Sequence, residues 1–129
     1  MIAVDTSAIV AILRGEEDAR QIRAKLAAAD GALISAANVL ELQIVLAGIR
    51  KLARWAEAED LFRVYGIAVH PFDEAQSDVA REAAVKFGRG KHKAALNFGD
   101  CFAYALAKSE GIPLLCKGDD FKLTDIALA

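Results

Sequence analysis

Ala94-Ala-Leu-Asn-Phe-Gly-Asp-Cys-Phe-Ala-Tyr-Ala-Leu-Ala107 reads as a turn, at Asn97 and Gly99, that runs into a mostly apolar helix. Phe102, Ala103, Leu106 and Ala107 recur at helical spacing and give that helix one packed face. Asp100 falls in its first turn, where an acid suits the positive end of the helix dipole. Alone, Asp100 needs no role beyond favouring the helix start. Two acids upstream change its meaning.

The first is Asp5. Met1 to Val4 is an apolar run too short for a helix and reads as a buried strand. Asp5 stands where that strand ends, and Thr6-Ser7 can cap a following helix. The second is Glu41, which interrupts the apolar segment Ser35-Ala-Ala-Asn-Val-Leu-Glu-Leu-Gln-Ile-Val-Leu46. Unless it faces solvent, a carboxylate there is costly without a partner or a metal.

From these anchors the chain divides into alternating elements. The strand at Ile2–Asp5 leads to a helix over Ser7–Leu13, and Arg14-Gly15 breaks it. Glu16–Ala29 reads as an amphipathic helix with Ala19, Ile22, Leu26 and Ala29 on one stripe, its acids early and its bases late. Ala32–Ile34 is a second strand, and Ser35 caps the helix that carries Glu41 to about Ile49. Arg50-Lys51 opens a polar junction before a helix over Ala53–Tyr65, with Trp55 packing against a neighbour. Ile67–Val69 is a third strand, closed by His70-Pro71, with His70 structural. Asp73 caps a helix to Phe87, and Gly88–Lys93 is a loop. The Asp100 helix ends near Glu110-Gly111, and Ile112–Cys116 is a fourth strand. Lys117-Gly-Asp-Asp-Phe121 is a turn, and Thr124–Leu128 reads as a last short strand.

Strands alternating with helices imply a mainly parallel sheet with helices on both faces. Sites in such folds form outside the carboxyl ends of the strands. Asp5 follows the first strand, Asp119 and Asp120 follow the fourth, and Glu41 and Asp100 lie near helix starts on crossovers. Acids converging on one rim repel one another and call for a cation. With no His or Cys ligand beside them, that cation is a hard, oxygen-preferring ion, Mg²⁺ or Mn²⁺. Such ions serve phosphate chemistry.

Composition agrees. At 129 residues the chain has the length of one domain with a real core. Hydrophobic residues make up 55%, and mean hydropathy is +0.27, which suggests buried helices and an oligomer interface. No apolar run reaches the roughly 18 residues of a membrane helix without a charge. No signal-peptide pattern opens the chain, so a cytoplasmic location is expected. Cys101 and Cys116 read as buried thiols rather than a disulfide. A net charge of −2 argues against a broadly basic nucleic-acid binder but leaves room for a local basic patch.

At these residues the chain resembles a PIN-domain ribonuclease, specifically a VapC-type toxin of a type II toxin–antitoxin pair. The matching pieces are Val4-Asp-Thr-Ser-Ala8, Asn38-Val-Leu-Glu41, Leu96-Asn-Phe-Gly-Asp-Cys-Phe-Ala103, and Leu114-Leu-Cys-Lys-Gly-Asp-Asp-Phe121 followed by Thr124-Asp-Ile126. The resemblance covers the whole chain. It implies a single PIN domain over residues 1–129, an α/β/α three-layer sandwich around a mainly parallel sheet of four to five strands. It assigns Asp5 and Asp100 to Mg²⁺ (Mn²⁺ possible) and Glu41 as third acid, a metal ligand or the group orienting the attacking water. Asp120 is the expected fourth acid, with Asp119 as understudy, because Gly118 stands where many PIN domains place an acid.

The resemblance also implies metal-assisted hydrolysis of an RNA phosphodiester, leaving a 5′-phosphate and a 3′-hydroxyl. Thr6 and Ser7 suit either helix capping or a bond to Asp5 or a phosphate, and Asn38 suits orienting Glu41 or touching substrate. In Gly88-Arg-Gly-Lys-His-Lys93, the residues Arg89, Lys91 and Lys93 are candidates for the RNA backbone, and Lys93 stands where close relatives are expected to carry proline. His92 has no readable partner acid and is expected at the surface. Expected partners are a VapB-type antitoxin, seated against Glu16–Ala29 and Ala53–Tyr65, and a second copy of this chain within a larger complex. DNA is expected only through the antitoxin. Two rivals stand beside this reading. A haloacid-dehalogenase-like phosphotransferase would use Asp5 as nucleophile, but it wants a second Asp where Ser7 stands. A PIN-fold binding module would instead act mainly in an antitoxin complex that represses its own operon.

Overall fold

The computed structural model describes residues 1–48 and 55–129. In chain order the elements are β1 (Ile2–Val4), α1 (Thr6–Arg14), α2 (Ala19–Ala28), β2 (Ala32–Ser35), α3 (Ala36–Gly48), α4 (Trp55–Tyr65), β3 (Ile67–His70), α5 (Glu74–Phe87), α6 (Phe98–Glu110) and β4 (Leu114–Leu115), followed by a 3₁₀ turn over Asp120–Leu123. The expected ends at Ile49 and Ala53, and the Arg50-Lys51 junction, lie outside the described residues.

The four strands form one parallel sheet in the order β3-β2-β1-β4. A parallel sheet is covered on both faces, so its strands are apolar throughout. Successive side chains point to opposite faces. Ile2, Val4, Ala32, Ile34 and Leu115 therefore pack on one side with Ile9, Ile12, Ile22, Leu26, Leu42 and Leu61 from α1 to α4. Ala3, Leu33 and Leu114 pack on the other with Ala83, Phe87, Tyr104 and Leu106 from α5 and α6. Each fully buried Ile or Leu contributes about 1.5–3 kcal/mol relative to exposure. This is the three-layer sandwich expected.

Three sequence expectations shift. The second helix starts at Ala19, not Glu16, because Glu16 turns away to pair with Lys117, and Asp18 sits at the cap position. Its early acids therefore precede the helix. The fourth strand shortens to Leu114–Leu115. The expected strand at Thr124–Leu128 reduces to one parallel bridge between Leu114 and Leu128. Side chains hold that segment instead: Asp125 accepts from the Tyr104 hydroxyl at 2.7 Å and from Lys108 Nζ at 2.8 Å.

β1 connects through α1 and α2 to β2 on one side, while β4 lies on its other side. The chain thus leaves β1 and β4 in a crevice where strand order reverses, at the carboxyl ends that carry Asp5 and Cys116-Lys117.

Candidate active site

Asp5 is 4% exposed and caps α1. Its Oδ2 accepts from Ser7 N at 3.0 Å and from Ser7 Oγ at 2.5 Å. Ser7 Oγ in turn accepts from the backbone N of Lys117 at 2.9 Å, which ties the end of β4 to the acid. Ser7 is therefore a clamp on Asp5. Thr6 is buried, and its hydroxyl donates to Asn38 O at 3.3 Å.

Asp100 is held by its own helix start. Asn97 Oδ1 accepts from Asp100 N, and Asp100 Oδ2 accepts from Asn97 N, both at 2.9 Å. This reciprocal capping box satisfies two of the free donors at the start of α6.

Glu41 is placed by contacts far apart in sequence. Asn38 Nδ2 donates to Glu41 Oε1 at 3.1 Å and to Gly99 O at 3.0 Å. Gly99 has no side chain, and a Cβ there would overlap the Glu41 carboxylate. The glycine lets α3 and α6 approach with the acid between them. Asn38 is fully buried and bonded to Glu41, an arrangement that suits orienting the acid. Its Oδ1 lacks a hydrogen-bond partner among the described residues, a cost the clamp carries.

The turn after β4 separates the two neighbouring acids. Asp119 pairs with Lys122 at 2.6 Å. Asp120 is near enough to Asp100 to raise its carboxyl. The geometry therefore brings Asp5, Glu41, Asp100 and Asp120 together and turns Asp119 to Lys122. Arg89 opposes the rise of Asp100 from the loop before α6, and Lys91 and Lys93 are exposed along the same loop. That loop is ordered around His92, whose Nδ1 accepts from Ala94 N at 3.0 Å while its ring meets Phe87 edge-on. His70 is a structural pivot, bound to Gln76 and facing Glu110.

Burial pushes Asp5 up to about 6; the two Ser7 bonds pull it down, and the charges of Asp100 and Glu41 push it further up. Burial also raises Asp100, against its bond from Asn97, with Asp120 and Glu41 adding to the rise. The charges of Asp100 and Glu41 bear on Asp5, and those of Asp120 and Glu41 bear on Asp100, and all four groups offer oxygen, the donor type a hard divalent cation prefers. Among the described residues, no group of three or more His, Cys, Asp or Glu side chains is placed to hold a metal ion as the side chains stand. What suits a hard cation is the chemistry of the donor set: Asp5 and Asp100 would hold the ion, and Glu41 and Asp120 would add oxygen donors once their side chains turn to it.

Three residues escaped the sequence reading. Gly99 reads in sequence as a turn residue, whereas the structure places it in the first turn of α6, against Glu41. Cys116 lies beside the acids, and burial, with the charges of Asp5, Asp100 and Asp120, lifts its thiol to about 11. Lys117 acts through its backbone N–H, which no side-chain pattern reveals.

The PIN domain family profile matches residues 2–127. The chain is 42% identical over 132 residues to the ribonuclease VapC of Mycolicibacterium smegmatis, covering 98% of each. Among solved structures it resembles Mycobacterium tuberculosis VapC20, a sarcin-ricin loop cleaving toxin, with a TM-score of 0.78 and 20% identity over 100% of this chain and 98% of that one. It likewise resembles a chain of VapBC2 from Rickettsia felis bound to a promoter DNA fragment, with a TM-score of 0.74 and 19% identity over 100% and 98%.

Proposed function

The chain belongs to the PIN-domain family, among the VapC ribonucleases, and on that premise we propose that it hydrolyses RNA phosphodiester bonds with the help of Mg²⁺. The observation that carries this reading is that the charges of Glu41 and Asp100 reach the buried Asp5, and those of Glu41 and Asp120 reach Asp100, at the carboxyl ends of β1 and β4. When bound, the ion supplies charge for the phosphoryl oxygens and an acidified water. The chain's own residues do the rest. Asp5 and Asp100 present fixed oxygens, Asp5 restrained by the Ser7 backbone N–H and hydroxyl and Asp100 by the Asn97 backbone N–H. Glu41, held by Asn38, would serve as a further metal ligand or orient the attacking water. Arg89, with Lys91 and Lys93, offers positive charge to the RNA backbone.

The same reading makes the chain the toxin of a type II pair, restrained by a VapB-type antitoxin that carries the DNA contacts. α2 and α4 both pack against α1, and Arg23 of α2 donates to the Tyr65 hydroxyl at the end of α4 at 3.3 Å; their outer faces offer a helical surface for it. Exposed Leu40 and Ile44, one turn apart on α3, support a homodimer. No helix among the described residues is long and apolar enough to cross a membrane.

The test is cleavage of total RNA by purified, antitoxin-free protein with Mg²⁺, with EDTA, and with Asp5→Asn or Asp100→Asn. Discrete cuts that require metal and both acids, with 5′-phosphate ends, support the reading. Ends bearing 2′,3′-cyclic phosphate, or cutting that survives EDTA, would overturn it.

A further inference from the structure

Lys117 stands just past the end of β4, in the turn that follows it. The parallel pairing of β1 with β4 runs as far as Asp5, whose N–H donates to Leu115 O at 2.9 Å. In a parallel ladder the next donor is the N–H two residues on, at Lys117, and its acceptor is the Asp5 carbonyl. That carbonyl has turned into α1, where it accepts from Ala8 N at 3.1 Å. Lys117 N–H donates instead to Ser7 Oγ at 2.9 Å, and Ser7 Oγ donates to Asp5 Oδ2 at 2.5 Å. The ladder therefore continues through a side chain, and its last rung ends on an acid of the site.

The side chain of Lys117 is engaged as well. Its ammonium pairs with Glu16 and lies 3.4 Å from Asp18 Oδ1, both in the corner between α1 and α2. That corner is fixed to α1 itself. Glu16 N donates to Ala11 O at 3.0 Å, and Gly15, left-handed at φ 63°, donates to Ile12 O at 3.1 Å. One residue is thus tied to both ends of α1, by its backbone N–H at Ser7 and by its side chain at the corner. An exposed ion pair adds little stability of its own. This one fixes where a hydrogen-bond donor stands, and the donor holds the hydroxyl that holds Asp5. A lysine with a free ammonium at the rim would read as one more phosphate contact, like Lys91 or Lys93; here two acids already hold the charge.

We propose that Lys117 is a positioning residue for the metal site: anchored by Glu16 and Asp18, its backbone N–H fixes the Ser7 hydroxyl, and through it the Asp5 carboxylate. The inference rests on the ribonuclease reading for its part in catalysis and adds to it a support outside the four acids. Glu16 and Asp18 bind no ion in this account. They hold the cation that holds the clamp. The role needs a positive charge on a long stem, so arginine can fill it and an apolar chain of similar length cannot.

The test titrates Mn²⁺ alone into the metal-free full chain, read by electron paramagnetic resonance, and measures RNA cleavage beside it. Lys117→Met, Lys117→Arg and Lys117→Glu are compared with wild type, the last also combined with Glu16→Lys, and circular dichroism with thermal melting verifies folding. Lys117→Met should weaken Mn²⁺ binding and lower kcat roughly 10-fold each, the lower end for a group that acts through another. KM and the salt dependence should stay constant, because no phosphate contact is lost. Lys117→Arg should restore most of both losses. Lys117→Glu should lose more, and adding Glu16→Lys should recover part of it. In a Ser7→Ala background Lys117→Met should cost little more, because its route runs through Ser7; fully additive losses would overturn that route. If Lys117→Met binds Mn²⁺ and cuts RNA as wild type does, the positioning role is wrong. It is equally wrong if the variant raises KM and flattens the salt dependence with Mn²⁺ binding unchanged, for Lys117 is then a phosphate contact. If wild type binds Mn²⁺ but cuts no RNA, the ribonuclease reading fails, while weaker Mn²⁺ binding by Lys117→Met still supports the positioning role.

Discussion

α6 and α3 each deliver an acid to the same crevice, by opposite means. Asp100 is fixed within three residues of its own helix start: Asn97 and Asp100 cap each other at 2.9 Å. Glu41 lies mid-helix in α3, where local sequence gives it no orientation. It is fixed by Asn38, which also reaches Gly99 across 61 positions of chain, and by the bare backbone of Gly99 itself. Local restraint makes a site robust and legible. Long-range restraint makes it dependent on two helices keeping one distance.

Gly99→Ala breaks that contrast most sharply. By helix propensity alone the change should stabilise α6 by about 1 kcal/mol. Because the new Cβ would overlap Glu41, the expected outcome is the reverse: a lower melting temperature and roughly 10- to 100-fold slower RNA cleavage. Thermal melting and cleavage rates measured together decide it, and a stabilised, fully active variant would show that Glu41 is free to move aside.

Asn38→Ala tests the clamp from the other helix. It leaves the Gly99 carbonyl without this donor and should cost about 1–3 kcal/mol, with a similar 10- to 100-fold loss of rate. Asn38→Asp, which adds a charge beside Glu41, should not rescue the rate.

Asp5→Asn probes the cost of gathering the acids. A carboxyl raised from 3.8 to about 6 is less stable folded than unfolded once charged, so the metal-free protein loses stability as pH rises between those values. At 1.36 kcal/mol per pH unit the penalty is about 3 kcal/mol above pH 6. The variant should therefore match wild type near pH 4 and exceed it by up to that amount at pH 7, as read by denaturant unfolding. Added Mg²⁺ should narrow the gap by stabilising wild type alone.

Asn97→Ala should do least. It removes one side of the capping box, at about 1 kcal/mol, and should slow cleavage by less than 10-fold because Asp100 keeps its place on the helix. A larger loss would mean that Asp100 depends on its cap as strongly as Glu41 depends on Asn38.

The sequence by itself determined much of this protein. Apolar runs of three or four residues set between amphipathic helices dictated a parallel sheet covered on both faces, since only burial on both sides tolerates Ile2-Ala-Val4 or Leu114-Leu115 without alternation. Asp5 and Asp100 were legible because acids at helix starts leave a local signature. What the tertiary structure decided lies where partners are far apart in the chain. It turned Asn38 inward, set Asp120 beside Asp100 while Lys122 drew Asp119 away, and made Gly99 a point of contact. It also reduced the last strand to a single bridge, because Tyr104 and Lys108 capture Asp125. Periodicity reports which face a residue occupies; only the closing of one helix on another decides what that face meets.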